Sequence, residues 1–321
     1  MSLRIGIELE MNNITGNAVM EAMESAGADC FGAICGYHGA VTAGARNDQW
    51  KMERDGSLTR GNTATMTTPG NVEVISPILV GTDGIRLLNR LLTALKDRGA
   101  EVNNQCGTHI SIGVDTKARW VAMSPSKKQQ VANRIIDCYN HFQPVLDAIS
   151  PNCRSAAGNG YIGVARRLDN YAVEHQVEGG RGSRGGAVNL AYYITYGRIE
   201  FRQPGYTICK ENIGRWLKIL NAMVSMSLNE NHCAHSMNLD TMPVTVDGMS
   251  DFLGLRDNVR ESIRGRVLTL YRKHRVGRIN RLAVLERDTA PTGSCRYCNA
   301  HHDCPAWPDC GGSNPDGSEA A

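Results

Sequence analysis

The chain has 321 residues, 41% of them hydrophobic, with 35 basic and 32 acidic side chains and a formal net charge of +3. Such a chain can bury a substantial core, as one large domain or one domain with an appendage. No stretch reaches the roughly 18 consecutive apolar residues of a membrane helix, so no membrane-spanning helix is expected.

The first residues, Met-Ser-Leu-Arg-Ile-Gly-Ile-Glu-Leu-Glu, run directly into a charged strand with no signal-peptide core, so a cytoplasmic protein is expected. Of eleven cysteines, seven are scattered singly, and an odd total fits a reducing compartment better than a disulfide framework.

In chain order, Arg4 to Asn12 alternates as a strand, Asn17 to Ala26 reads as a short helix, and Ala28 to Gly44 is glycine-rich and irregular. Trp50 to Asp55 and Asn71 to Ser76 are strands joined by a threonine-rich hairpin loop ending in Pro69-Gly70. A helix follows from about Thr82 to Arg98, with Ile85, Leu88, Leu91, Leu92 and Leu95 inward and Gly99 as its stop signal. Gly107 to Asp115 is the next strand, and Lys127 to Ile149 reads as one long helix. Val188 to Arg202 folds back on itself at Tyr196-Gly197, and a helix spans about Glu211 to Leu228. Strands and helices interleave without strict alternation, so an α+β class is expected: an antiparallel sheet backed by helices.

From Leu255 to Arg287 ten basic residues face three acidic ones, within a basic segment spanning 250–287. The segment could attract nucleic acid or an acidic protein. A plain solvated helix face accounts for it too, since Phe252, Val259, Ile263, Val267 and Leu270 form a buried stripe at helical spacing.

The five strands share one property. A strand repeats every two residues, so Ile5, Ile7 and Leu9 enter a core while Glu8 and Glu10 stand on the other face. By the same rule Glu53 and Asp55, Glu73, His109 and Ser111, and Glu200 and Arg202 oppose the apolar residues of their strands. A solvated sheet face would carry mixed lysine, threonine and glutamate; these strands offer almost only groups that hold cations or phosphates. Glu8, Glu10, Asp55, Glu73, His109 and Glu200 are thus candidate ligands for hard magnesium or manganese ions. Together without a cation they would repel one another.

The ordered set Gly6-Ile-Glu-Leu-Glu10, Asp55-Gly-Ser57-Leu58, Val72-Glu-Val-Ile-Ser-Pro77, Asn104-Gln-Cys-Gly-Thr-His109 and Arg198-Ile-Glu-Phe-Arg202 resembles the putative amidoligase family. That family belongs with glutamine synthetase and glutamate-cysteine ligase in the carboxylate-amine ligase superfamily. The resemblance covers about residues 3–230 and implies a curved antiparallel sheet whose concave face binds ATP and two or three magnesium ions. It implies that Glu8, His109 and Glu200 hold the ion between the ATP phosphates, and that Glu10, Asp55 and Glu73 hold the ion near an acyl phosphate. Arg202 would contact the transferred phosphate, and Arg198 and Ser111 would lie at the nucleotide. Many members carry a second histidine where this chain has Ser111.

The implied reaction joins a carboxylate substrate to an amine substrate through an acyl phosphate, which requires positioning and charge neutralisation more than a protein nucleophile. Glu53 is a candidate for removing the amine proton. Arg166 and Arg167, in Tyr161-Ile-Gly-Val-Ala-Arg-Arg-Leu168, resemble an arginine-bearing segment of the family and by that likeness could complete the phosphate clamp. The glycine-rich loop at 179–186 could fold Arg181 or Arg184 over a substrate or simply connect elements.

Residues 1–290 are read as the catalytic domain and 291–321 as a tail module. The tail places Cys295, Cys298, Cys304 and Cys310 with His301 and His302 in sixteen residues, the density of a small zinc site. Two readings compete with the ligase: a nucleic-acid- or protein-binding factor using the basic helix and tail, and a phosphotransferase using the same metals on a hydroxyl.

Overall fold

The computed structural model describes residues 3–37, 39–56, 58, 61–114, 117–154, 165–167, 186–228, 239–273 and 280–285. The first strand, β1 (Arg4–Ile14), leads through a Thr15 cap into α1 (Gly16–Ala26). The Thr15 hydroxyl accepts from the Ala18 amide at 3.1 Å, satisfying one of the amides a helix start leaves open. Then come β2 (Cys30–Cys35), a single turn α2 (Gly39–Thr42), β3 (Trp50–Glu53), β4 (Gly70–Ile75), β5 (Leu79–Val80) and α3 (Gly81–Asp97). After α3 follow β6 (Thr108–Gly113), α4 (Lys117–Ala122), α5 (Pro125–His141) and α6 (Gln143–Ile149). The second half adds β7 (Val188–Asn189), α7 (Tyr193–Tyr196), β8 (Arg198–Phe201), α8 (Lys210–Leu228), α9 (Val246–Phe252) and α10 (Asp257–Lys273).

The strands make one eight-stranded sheet in the order β2-β3-β4-β1-β6-β8-β7, with β5 pairing the start of β1. The architecture is α+β, as expected, but the sheet is mixed: β2 runs parallel to β3 at one edge. The sequence Cys30-Phe-Gly-Ala-Ile-Cys35 has no apolar alternation, which is why a strand lay hidden in a segment read as irregular.

Ile5, Ile7, Leu9 and Met11 of β1 are buried to 2% exposure or less and pack with Val72, Val74, Ile110, Ile112, Ile199 and Phe201 into one core. Leu88, Leu91, Leu92 and Leu95 of α3 and Val131, Ile135 and Cys138 of α5 back that face. Tyr139 stacks on Phe201, centroids 5.7 Å apart, which fixes α5 behind β8.

The single helix expected over Lys127 to Ile149 is two helices. Pro144 cannot donate an amide and its ring clashes with the preceding turn, so α5 ends at Phe142 and α6 restarts there. Gly197, at φ 63°, ends α7 and turns the chain into β8; a Cβ there would lie 2.7 Å from the Trp120 ring.

Four arginines of the basic segment make internal contacts. Arg260 pairs with Asp251, and Arg264 with Asp247 and Glu261, tying α10 to α9. Arg281 donates to the carbonyls of Ala148 and Ser150, and Arg266 to that of Ile149. Among the described residues no helix is long and apolar enough to cross a membrane. The proposed zinc ligands Cys295, Cys298, Cys304 and Cys310, with His301 and His302, lie outside the described residues, as do Arg181 and Arg184.

Candidate active site

Register fixes the polar face row by row. Glu53 of β3 lies opposite Glu73 of β4, and Glu73 opposite Glu10 of β1, so three carboxylates form one row across adjacent strands. One step along, Glu8 lies opposite His109 of β6. A further step places Gly6 opposite Ser111, Ser111 opposite Glu200 of β8, and Glu200 opposite Asn189 of β7. Like charges directly across a ladder destabilise a sheet, so the first row makes sense only if something offsets it.

The side chains converge. His109 Nδ1 is 3.0 Å from Glu8 Oε2 and 3.5 Å from Glu200 Oε1, and its Nε2 is 3.8 Å from Glu10 Oε1. Glu8, Glu73 and His109 can each present a ligand atom within 4.8 Å of the others, and so can Glu10, Asp55 and Glu73. Glu73 belongs to both triads. Glu10, Glu53, Glu73, His109, Ser111 and Glu200 are all buried, while Glu8 and Asp55 are half-buried.

Burial and neighbouring charge shape the protonation of this cluster. Burial pushes the Glu73 carboxyl up to about 9, helped by the charges of Glu8, Glu10, Asp55 and Glu53. Glu10 is raised by burial too, and His109 and the Gly107 amide, which donates to Glu10 Oε2 at 2.5 Å, only partly offset this. Burial opposes the charge on Glu8, but the His109 hydrogen bond and charge, with Arg198 and Arg202, carry its carboxyl below the usual range. His109 stays above its ordinary value despite burial, because Glu8 and Glu200 favour the imidazolium.

Oxygen donors with one imidazole are the set that hard divalent cations accept, and burial with mutual repulsion of the carboxylates, which raise Glu73 and Glu10, is what a bound cation would relieve. The residues fit a magnesium or manganese ion at each triad.

The predicted arginines divide. Arg202 Nη1 donates to Glu200 Oε1 at 2.8 Å. Arg198 lies over the Tyr192 ring at 4.3 Å and is near enough to Glu8 to lower its pKa. Arg167 instead forms a two-pronged pair with Asp137 of α5, both contacts 2.7 Å, on the helix that backs the sheet. Arg166 is exposed beside it. The expectation that these two complete the phosphate clamp receives no support from this placement: Arg167 is held by the helical layer.

Three site residues escaped the sequence reading. Asn189 donates to Glu200 Oε2 at 2.6 Å, fixing the carboxylate that Arg202 holds from the other side. Gly107 sits where a Cβ would lie 2.8 Å from His109 Nε2 and 3.0 Å from Glu10 Oε1. Arg154 approaches the same point, with Nη2 at 3.3 Å. Same-face spacing from His109 could have flagged Gly107; Asn189 is brought opposite Glu200 only by the pairing of β7 with β8, and Arg154, in a short turn after Pro151, carries no periodic signal.

A family model described as "Putative amidoligase enzyme" matches residues 1–175. No curated protein matches the chain. Among solved structures the chain is similar to a bifunctional glutathione synthetase from Pasteurella multocida, at 13% identity over 84% of this chain and 47% of that one, with a TM-score of 0.41. It is also similar to a novel glutamine synthase homolog, at 11% identity over 84% of this chain and 65% of that one, with a TM-score of 0.30. The chain thus spans about half the length of the first and just under two thirds of the second. With more than half of its 321 residues inside the family match, and the family's acidic motifs meeting in one pocket, the chain belongs to the putative amidoligase family.

Proposed function

We propose that this protein is an ATP-dependent carboxylate-amine ligase that makes an amide bond through an acyl phosphate. The family supports ligase chemistry at the coarse level. The observation that carries the finer reading is the double triad of Glu8, Glu73 and His109 with Glu10, Asp55 and Glu73, largely buried and crowded with carboxylates.

A carboxylate resists attack by an amine because oxide is a poor leaving group. Transfer of the γ-phosphoryl group of ATP to the carboxylate makes phosphate the leaving group. The amine then forms the amide, leaving ADP and phosphate. Divalent cations held by the two triads would neutralise the phosphate oxygens. Glu8 and Glu10 supply negative charge on either side of His109, and Asn189 and Arg202 fix the two oxygens of Glu200. In this reading Arg202, at the rim of the cluster, contacts the transferred phosphate, while Arg198 and Ser111 line the nucleotide end. Glu53, at 3% exposure in the Glu73 row, is the carboxylate we assign to proton removal from the attacking amine.

ADP release against a panel of amino acids, polyamines and peptides, with magnesium present and then chelated, tests this. The expected outcome is magnesium-dependent ADP formation that requires both a carboxylate and an amine, with a product lighter by one water than its parts. Glu10→Gln and Glu200→Gln should each lower turnover at least a hundredfold, in line with the loss of one electrostatic stabiliser. Phosphorylated product with a hydroxyl acceptor would replace the ligase by a phosphotransferase.

A further inference from the structure

One buried charge has no part in the chemistry described so far. Arg154 ends the short turn Asn152–Arg154 and is 7% exposed. Its Nη2 donates to the carbonyls of Cys106 at 2.6 Å and Gln105 at 3.3 Å, which hold it in place and bring no full counter-charge. Its Nε is buried with no hydrogen-bond partner, and no ion pair among the described residues involves Arg154. The Glu10 carboxylate is near enough to feel the charge of Arg154 but makes no hydrogen bond to it, and a buried donor left unmet is costly unless an acceptor arrives.

The placement says which acceptor. Nη2 of Arg154, Oε1 of Glu10 and Nε2 of His109 all lie within 3.3 Å of the position a Cβ on Gly107 would take. Arg154 therefore shares with Glu10 the end of the acidic cluster where Glu10, Asp55 and Glu73 meet. Arg198 stands beyond the other end, two residues before Glu200 on the same face of β8 and near Glu8. With Arg202 bonded to Glu200 between them, Arg154 and Arg198 stand at the two ends of the acidic cluster along the strand direction.

Resting on the ligase reading, we infer that Arg154 binds the phosphoryl oxygens of the acyl phosphate at the Glu10 end, while the nucleotide occupies the Glu8 end with Arg198. An arginine fork suits this role because two N–H groups can meet two oxygens of one tetrahedral anion. The carbonyls of Gln105 and Cys106 occupy Nη2 and leave the remaining donors for the ligand.

Inorganic phosphate, the product that would leave from this position, is the probe. Calorimetric titration of phosphate into the magnesium- and ADP-saturated protein should show binding by wild type and at least tenfold weaker binding by Arg154→Met, with ADP affinity within twofold. Arg198→Met should show the reverse. Equal phosphate affinity in Arg154→Met, or an equal loss for phosphate and ADP, would overturn the assignment. Should Arg154→Met fail to fold, Arg154→Lys keeps the charge and the carbonyl contact but lacks the fork. It should still lose phosphate affinity, and wild-type affinity in it would overturn the assignment. Absence of phosphate binding by a wild type that binds magnesium and ADP also overturns it, whereas a wild type that binds neither contradicts the ligase reading itself.

Discussion

Glu73 is the residue on which the two triads depend, and its chemistry makes a signed prediction. Its carboxyl is raised to about 9 in the folded chain against an ordinary 4.5, so the unfolded chain releases its proton first as pH rises. Between those values the metal-free protein loses stability with rising pH, because the folded state binds more protons than the unfolded one. Glu73→Gln should remove that loss. We expect the metal-free variant to melt higher than wild type at pH 8 and closer to it at pH 5, and to lose most of the melting-temperature increase that magnesium gives wild type. A metal-free variant that melts lower than wild type at pH 8 would contradict the assignment.

Gly107 makes a second test at the same scale. Alanine there would place a methyl group 2.8 Å from His109 Nε2 and 3.0 Å from Glu10 Oε1, both at the ends of side chains that can move aside. The cost should therefore appear in the site more than in the fold. Gly107→Ala is expected to weaken manganese binding at least tenfold while shifting the urea midpoint little, measured by calorimetry and by circular dichroism.

At the scale of elements, β1 joins the two functions of the sheet. Leu9 is fully buried between Glu8 and Glu10, so the residue that anchors the strand in the core also aims both carboxylates outward. Leu9→Ala should cost about 2–5 kcal/mol in urea unfolding, as large-to-small changes in a packed core do. A cost under about 1 kcal/mol would show that β1 is not anchored in the core as described here. The same alternation explains why the five functional strands were legible from sequence: one face apolar, the other acidic, with a period of two. Convergence of Glu8, Glu10, Glu73, His109 and Glu200 followed from that period and from the family motifs, whereas Asp55 lies past the end of β3 and was marked by its motif alone.

Other features left no periodic trace. The edge strand β2 is built from Cys, Gly and Ala with no alternation, and the break between α5 and α6 depends on Pro144 overriding a continuous helical stripe. Arg167 lies in a segment that resembles an arginine-bearing stretch of the family, yet its partner Asp137 lies 30 positions away on α5. Ion-pair partners of this kind are set by tertiary packing, which a single sequence does not display.

For the whole molecule, the described residues form a mixed sheet whose apolar face is closed by helices and whose acidic face holds the candidate site. Arg260 and Arg264 of α10 are drawn into pairs with α9, which gives these two a structural role. The cysteine-rich tail is proposed to act as a separate zinc module. Removing residues 291–321 should abolish binding of one zinc per chain, read by atomic absorption, and leave magnesium-dependent ADP formation within a factor of two. Loss of both together would merge the tail with the catalytic domain.

The account stands most directly on a count of bound ions. Electron paramagnetic resonance of manganese, titrated into the protein with a non-hydrolysable ATP analogue, should show at least two ions per chain in wild type and no more than one after Glu73→Gln. Fewer than two in wild type, or an unchanged count in the variant, would contradict a shared cation pocket built from these strands.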